Sequence, residues 1–361
     1  MNFKIKTNDS NICIKTIRET KDLLEEIKVL DPKVALVDKS ISENYPFIFD
    51  EFKNLDIDIF AITDPETEKN LETLEKGYYF LQKNNVQRTD FILAIGGGAT
   101  TDFAGFLAST FKRGIKLCLM PTTLLGQVDA CIGGKTAINF GNIKNLVGSF
   151  YNPSEIIICT EFLNTLGEQE YLTGISEIIK HALITSDDEI SFVLENIENI
   201  KMRDQIVLEE IISRSISIKH NVVNEDFTEK GRRKFLNFGH TFAHAIEGRN
   251  NFSKKITHGE AVLCGMILAT KLSIVSKICS KKVLAELKEI YKENNLSYTF
   301  KEFSNPSKIK SLIPFFKNDK KNNDDKINFI LIKKIGLITQ PNKYKISISK
   351  LKKITSAIAQ C

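Results

Sequence analysis

The chain has 361 residues, 42% hydrophobic and 26% charged, with a formal net charge of +5. That length suits two domains, and that balance belongs to a folded globular protein rather than a disordered one. Fifty basic against 45 acidic residues is a small, dispersed excess, which argues against nucleic acid or a membrane surface as a partner.

The Lys-rich stretch from Lys308 to Lys353 is a local exception and reads as a solvated surface. The seven cysteines are scattered with no C-x-x-C pair, so they are expected to be reduced thiols in a cytoplasmic protein. The first residues lack the basic-then-apolar order of a signal peptide, and no apolar run reaches membrane-spanning length.

In chain order, β-branched runs predict strands at Val34–Val37, Ile57–Ile62, Phe91–Ile95, Lys116–Met120 and Glu155–Cys159. A helical pattern from about Glu66 to Lys83 separates the second strand from the third. Strands alternating with helices predict a mostly parallel sheet covered on both faces. After about residue 160, helical periodicity dominates over Glu168–Asn196, Met202–Asn224, His240–Glu247 and Gly259–Lys281, with a short strand pair near Ile327–Ile332. The expected organisation is an α/β domain over residues 1–160 and a mainly α-helical domain over 161–361, with the active site in the cleft between them.

Gly96-Gly97-Gly98 follows the strand ending at Ile95, with a helix expected to start near Asp102. Glycines let a backbone approach a pyrophosphate, and a helix N-terminus favours the same anion. The motif is not G-x-G-x-x-G, and a plain tight turn stays open. Asp38 follows the first predicted strand, at a position where a carboxylate can bind ribose hydroxyls and would repel a 2′-phosphate; a turn-forming Asp is the alternative. Thr122 and Thr123 are short hydroxyl donors at another strand end.

Gly133-Gly134-Lys135 lacks the spacing of a triphosphate P-loop. With Arg113, Asp129, Lys144 and Asn145 nearby, it suits a phosphate or carboxylate ligand, or else a set of surface cations. Three of the five histidines, His240, His244 and His258, fall within 19 residues, and the first two are spaced i,i+4. Glu177 and Lys180 share one face of an otherwise apolar helix, where a carboxylate needs an ionic partner or a metal. Two imidazoles and one carboxylate form a known catalytic Zn²⁺ set. A core salt bridge between Glu177 and Lys180 remains the plain alternative, and spacing alone leaves open which two histidines ligate.

In order, these motifs resemble the 3-dehydroquinate synthase family over roughly residues 30–335. They are Gly96-Gly97-Gly98-x3-Asp102, Lys112-Arg113-Gly114, Met120-Pro121-Thr122-Thr123, Gln127-Val128-Asp129-Ala130 and Gly133-Gly134-Lys135-Thr136 in the first half. Lys144-Asn145, Glu177-x2-Lys180, Arg233-x2-Leu236-Asn237-x-Gly239-His240-x3-His244-x2-Glu247 and His258-Gly259-Glu260 follow.

The resemblance implies a Rossmann-like NAD-binding domain, a helical metal-binding domain and a homodimer. It implies Glu177, His240 and His258 as ligands of Zn²⁺ or Co²⁺, with His244 in acid–base work or substrate contact. Asp38, Glu66, Lys69, Gly96, Gly97, Gly98, Asp102, Thr122, Thr123, Lys144 and Thr165 are implied NAD contacts. Arg113, Asp129, Lys135, Asn145, Lys180, Lys219, Arg233, Asn237, His244 and Lys320 (or Lys321) are implied contacts to a phosphorylated sugar acid. Glu229 is an implied proton-transfer residue, and Lys180 and Arg233 are implied to assist catalysis.

The implied reaction turns 3-deoxy-D-arabino-heptulosonate 7-phosphate into 3-dehydroquinate and phosphate, with catalytic NAD and no net redox change. The alternatives are cyclases of other sugar phosphates (2-deoxy-scyllo-inosose, valiolone-type and aminodehydroquinate synthases) and glycerol-dehydrogenase-like oxidoreductases. The sequence departs from the family pattern at Phe227, Ala243, Thr100 and Thr101, none of which is an implied metal or acid–base residue.

Overall fold

The structure is a computed structural model that describes residues 2–6, 11–141, 143–250, 256–296, 303–316 and 326–361. It divides into two compact units, Met1–Tyr171 with Arg203–His220 and Leu172–Met202 with Asn221–Cys361.

The first unit is built on seven strands: β1 (Asn2–Lys6), β2 (Asn11–Ile17), β3 (Val34–Asp38), β4 (Asp58–Ile62), β5 (Phe91–Gly96), β6 (Lys116–Pro121) and, beyond a hairpin, β9 (Glu155–Cys159). Their order is β1-β2-β9-β6-β5-β3-β4, all pairs parallel except β1 with β2. The apolar runs in β3, β5, β6 and β9 are buried along almost their whole length, as strands covered on both faces must be. Leu23, Ile27, Ile48 and Phe52 from flanking helices pack with Ala35, Val37, Leu93 and Ile95 in one core cluster.

Strand order reverses at β3: β4 lies on one side, and β5, β6 and β9 on the other. Such a reversal opens a ligand crevice at the carboxyl ends of the strands. Val37 pairs with Ile95, and Gly96 with Pro121, so Asp38, the glycine run and Thr122 emerge at one level.

Several elements differ from the sequence expectation. The hairpin β7 (Lys135–Phe140) and β8 (Ile143–Phe150) was not foreseen, nor were β1 and β2. Most of β8 is exposed, so it lacks the buried alternation that marks a strand. The helix expected from Glu66 to Lys83 is two pieces, Pro65–Glu68 and Leu71–Lys83. The Asn70 side chain caps the second piece by accepting from the Thr73 amide. The helix expected near Asp102 starts at Gly98, so Asp102 sits one turn inside it. In the second unit, the pattern running to Asn196 breaks at Ser186, which caps a new helix over Asp187–Glu195. The helix expected to reach Lys281 ends at Val275. The short strands near residue 330 belong to two ladders: Lys326–Phe329 pairs with Tyr344–Ser347, and Ile332–Lys334 with Leu337–Ile338.

The centre of the second unit is the His258–Val275 helix, which is apolar nearly all round. It is long and apolar enough to cross a membrane by length and composition, but 78% of that window is buried inside the protein, as in a core helix. Two glycines set how closely its neighbours approach. A Cβ on Gly265 would lie 2.2 Å from the Gly239 carbonyl oxygen, at the start of the His240–Arg249 helix. A Cβ on Gly259 would lie 2.6 Å from the Thr173 Cα, on the helix that carries Glu177. Both obstacles are backbone and cannot swing aside. Gly265→Ala and Gly259→Ala are each expected to lower stability by about 1–3 kcal/mol, read as an earlier midpoint in urea unfolding; an unchanged midpoint in both would contradict this packing.

Candidate functional site

In the first unit, Gly97 is the N-cap of the Gly98–Thr110 helix, and a Cβ there would lie 3.2 Å from Thr123 Cγ2. Thr122 donates its amide to the Gly96 carbonyl at 3.0 Å, and Thr123 Oγ1 accepts from the Gly126 amide at 3.0 Å. The glycine run therefore lies against the Thr122–Thr123 turn, with the helix N-terminus opening beside it. The break after Glu68 turns Lys69 inward. It is 2% exposed, and its Nζ donates to Asp102 Oδ2 at 2.6 Å. Burial pushes the Asp102 carboxyl up and the Lys69 ammonium opposes that shift.

Asp38 Oδ1 accepts from the amide and hydroxyl of Ser40, at 3.0 and 2.8 Å. Both bonds fall on one carboxylate oxygen, so turn formation and ligand binding are compatible in this residue. Glu66 lies 3.2 Å from Lys144 Nζ and accepts from Asn139 Nδ2 at 3.1 Å. Asn139 Oδ1 in turn accepts from the Asn145 amide at 2.8 Å, which ties the hairpin to the Pro65–Glu68 turn. Asn145 takes φ +52°, in the left-handed region. Thr165 is the exposed last residue of the Thr160–Thr165 turn, its hydroxyl 3.2 Å from that of Tyr45.

Among the anion-binding candidates, Lys135 opens β7 and is exposed, as is Arg113, which sits at φ +63° on a short turn. Lys219 is buried and pairs with Asp129 Oδ1 at 2.7 Å, also donating to the Asp129 carbonyl.

In the second unit, Glu177, His240 and His258 each present a ligand atom, and these atoms all lie within 4.8 Å of one another. Glu177 Oε1 is 3.5 Å from His240 Nε2 and 3.7 Å from His258 Nε2. Lys180 holds the other oxygen, Glu177 Oε2, so the salt bridge and the three-donor cluster coexist. Each imidazole is oriented from behind. His258 Nδ1 donates to Glu247 Oε1 at 3.1 Å, and His240 Nδ1 faces the Phe238 carbonyl at 3.4 Å. That leaves both Nε2 atoms directed at Glu177. Burial and the nearby Lys180 ammonium hold the His240 imidazole well below the usual range. For His258 burial works downward, but the carboxylates of Glu177 and Glu247 prevail and raise it to about 10. One carboxylate and two imidazoles at this spacing fit a catalytic Zn²⁺ or Co²⁺. His244 is exposed, its ring 5.6 Å from that of His240.

The loop before the His240 helix is organised by Asp226. Its carboxylate accepts from the amides of Lys230, Gly231 and Arg233, at 2.9, 2.7 and 3.0 Å. Arg233 is buried, and its Nη1 donates to the Phe227 carbonyl at 2.5 Å, so Phe227 contributes its backbone here. Asn237 Nδ2 donates to Glu229 Oε1 at 2.6 Å. Lys320 lies outside the described residues. Sequence reasoning gave no role to Glu247, Asp226 or the Phe238 carbonyl. Glu247 had a signal: it is seven residues from His240 and three from His244, on the same helix face.

The chain shares its fold with a 2-deoxy-scyllo-inosose synthase whose structure holds carbaglucose-6-phosphate, NAD⁺ and Co²⁺; the TM-score is 0.85 at 24% identity, covering 99% of each chain. Residues 59–173 match the 3-dehydroquinate synthase N-terminal family and residues 174–322 the 3-dehydroquinate synthase C-terminal family. A 3-dehydroquinate synthase of Pelagibacter ubique is 38% identical over 342 residues, 92% of each chain. Another, of Clostridium tetani, is 37% identical over 330 residues, 90% of this chain and 84% of that one. The chain belongs to the 3-dehydroquinate synthase family.

Asp226 supplies a test of the loop. Burial alone would raise its carboxyl, but the three amide donors outweigh this and hold it below the ordinary carboxylate value. A depressed folded pKa stabilises the fold above the unfolded value of about 3.9, and that stabilisation fades as pH falls through the folded pKa. Asp226→Ala is expected to lose about 1.5–3 kcal/mol at pH 7, with the gap from wild type narrowing below about pH 4. Thermal unfolding across that range checks it; a gap that does not change with pH would contradict the assignment.

Proposed function

We propose that this chain converts 3-deoxy-D-arabino-heptulosonate 7-phosphate to 3-dehydroquinate and phosphate, as an NAD- and metal-dependent carbon–oxygen lyase of aromatic biosynthesis. The observation that carries the choice of substrate is the level of identity: 38% to a 3-dehydroquinate synthase over nearly the full length, against 24% to the cyclase of a different sugar phosphate. The relatives at the higher identity are 3-dehydroquinate synthases, and the residues present here suit that reaction.

The geometry fits both implied groups. Gly97 and Gly98 leave room for a pyrophosphate at a helix N-terminus, and Asp38 at the level end of β3 suits ribose hydroxyls, favouring NAD over NADP. Glu66, Lys69, Asp102, Thr122, Thr123, Lys144 and Thr165 are the further contacts we assign to the dinucleotide. Glu177, His240 and His258 would hold the metal. When bound, NAD would supply reversible hydride-transfer chemistry and the metal would supply Lewis-acid polarisation of substrate hydroxyls.

The chain's own residues do the rest. Arg113, Lys135, Lys180, Lys219 and Arg233 are the cations we assign to a substrate that bears phosphate and carboxylate. Asp129 holds Lys219 in place, and Asn145 and Asn237 offer amides for hydroxyl groups. His244, exposed beside the metal triad, is the proton carrier. Glu229, fixed by Asn237, is a second proton-transfer group. Lys180 screens the Glu177 carboxylate and so keeps one oxygen for the metal. We also place the enzyme in the cytoplasm as a homodimer. The exposed apolar side chains of Phe140, Ile143, Leu146 and Phe150 support self-association.

Purified protein with NAD and Zn²⁺ or Co²⁺ is expected to release phosphate and 3-dehydroquinate in equal amounts, without NADH accumulating. Chelation should abolish turnover, and His258→Ala should lower it by about 100- to 1,000-fold. Absence of phosphate release would sink the proposal. Activity on glucose 6-phosphate or sedoheptulose 7-phosphate instead would mean another cyclase, and steady NADH growth from glycerol a dehydrogenase.

A further inference from the structure

The His240–Arg249 helix carries a candidate ligand at its first residue and Glu247 two turns later. An i,i+7 pair faces the same way. Glu247 therefore points to the same side as His240, toward the start of the His258–Val275 helix. There, its Oε1 receives the Nδ1 proton of His258 at 3.1 Å. The two helices are fixed in register by the close packing at Gly265. His258 is itself the first residue of its helix, whose start is pinned by a capping box between Thr257 and Glu260. The backbone of His258 is thus anchored, but its ring keeps two freedoms: rotation about its side-chain bonds and choice of tautomer. Of the described contacts, the Glu247 carboxylate is what settles both. A carboxylate accepts only, so the Nδ1 that meets Glu247 carries a proton, and Nε2 is the nitrogen that faces Glu177 Oε1, 3.7 Å away, and would offer its lone pair to a cation that displaces any proton there.

The two imidazoles are held differently. His240 Nδ1 faces a neutral backbone carbonyl, Phe238, at the longer distance of 3.4 Å. His258 has a charged acceptor and the shorter contact. An anionic partner also makes the imidazole a stronger donor to a cation.

We infer that Glu247 is a positioning residue for the metal: it fixes the tautomer and orientation of His258 and raises its affinity as a ligand. This rests on the reading of Glu177, His240 and His258 as the metal set. It adds a fourth residue, which touches no metal itself, and makes one helix responsible for two ligands.

Three variants test it in the metal-free, full-length protein titrated with Co²⁺ against a competing chelator. Glu247→Leu keeps bulk and removes the acceptor, Glu247→Ala removes both, and Glu247→Gln keeps an amide oxygen that can accept the same proton. The Leu and Ala variants are expected to bind Co²⁺ about 10- to 100-fold more weakly. At saturation, their visible Co²⁺ absorption should be altered. The Gln variant should recover most of the affinity and the wild-type spectrum. Far-UV circular dichroism and unfolding of the metal-free proteins verify that the fold is kept, and the Gln variant decides the matter if Leu and Ala fold poorly. Wild-type affinity and spectrum in the Leu or Ala variant would overturn the inference, as would a Gln variant as weak as Leu. His258→Ala separates the two levels of the argument. If wild type binds one Co²⁺ and His258→Ala does not, the metal set stands whatever Glu247 does. If wild type binds none, the metal reading and this inference fall together.

Discussion

The second unit depends on a steric constraint more than on any attraction. Three helices must approach within backbone contact if a carboxylate and two imidazoles are to converge. Gly265 lets the His240–Arg249 helix meet the His258–Val275 helix, and Gly259 lets the helix bearing Glu177 meet the same element. With a side chain at either position the backbones would separate, and donor atoms now within 4.8 Å of one another would disperse. The apolar burial of the His258–Val275 helix supplies the rigid floor on which this convergence rests.

Electrostatics then refine the cluster. A buried carboxylate among imidazoles is unfavourable without compensation, and Lys180 provides it at one oxygen while the other faces the histidines. His240 and His258 share the Glu177 carboxylate, but at His240 burial and the Lys180 ammonium prevail, whereas at His258 the second carboxylate, Glu247, tips the balance the other way. Asp226 does comparable work for the loop, gathering three amides so that Arg233 and Asn237 leave it in defined directions.

The first unit solves a different problem. Its residues come from distant points in the chain, Asp38, Gly97 and Thr122 among them, yet parallel pairing brings them out at one level. The reversal of strand order at β3 opens space there, and the break at Lys69 turns a cation inward to Asp102. A continuous helix, as the periodicity from Glu66 to Lys83 predicts, would have carried Lys69 elsewhere. The cap at Asn70 prevailed over the periodicity because its side chain accepts from the Thr73 amide to start a new helix and donates to the Thr67 carbonyl in the preceding turn.

Much of this was legible from the residues alone. Continuous apolar runs identified β3, β5, β6 and β9 because strands buried on both faces leave no polar alternation to confuse. The clustered histidines and Glu177-x2-Lys180 marked the second site because few other uses concentrate such residues on apolar helices. The hairpin of β7 and β8 was not legible, since its exposed strands carry no burial pattern. Nor were the roles of Glu247, Asp226, Gly259 and Gly265. By itself, then, the sequence determined the fold class, the family and the residue types available for chemistry, because these depend on composition and local period. Only the tertiary structure decided which atoms meet, because convergence within a few ångströms depends on how closely separate helices and strands pack, and no local pattern encodes that distance.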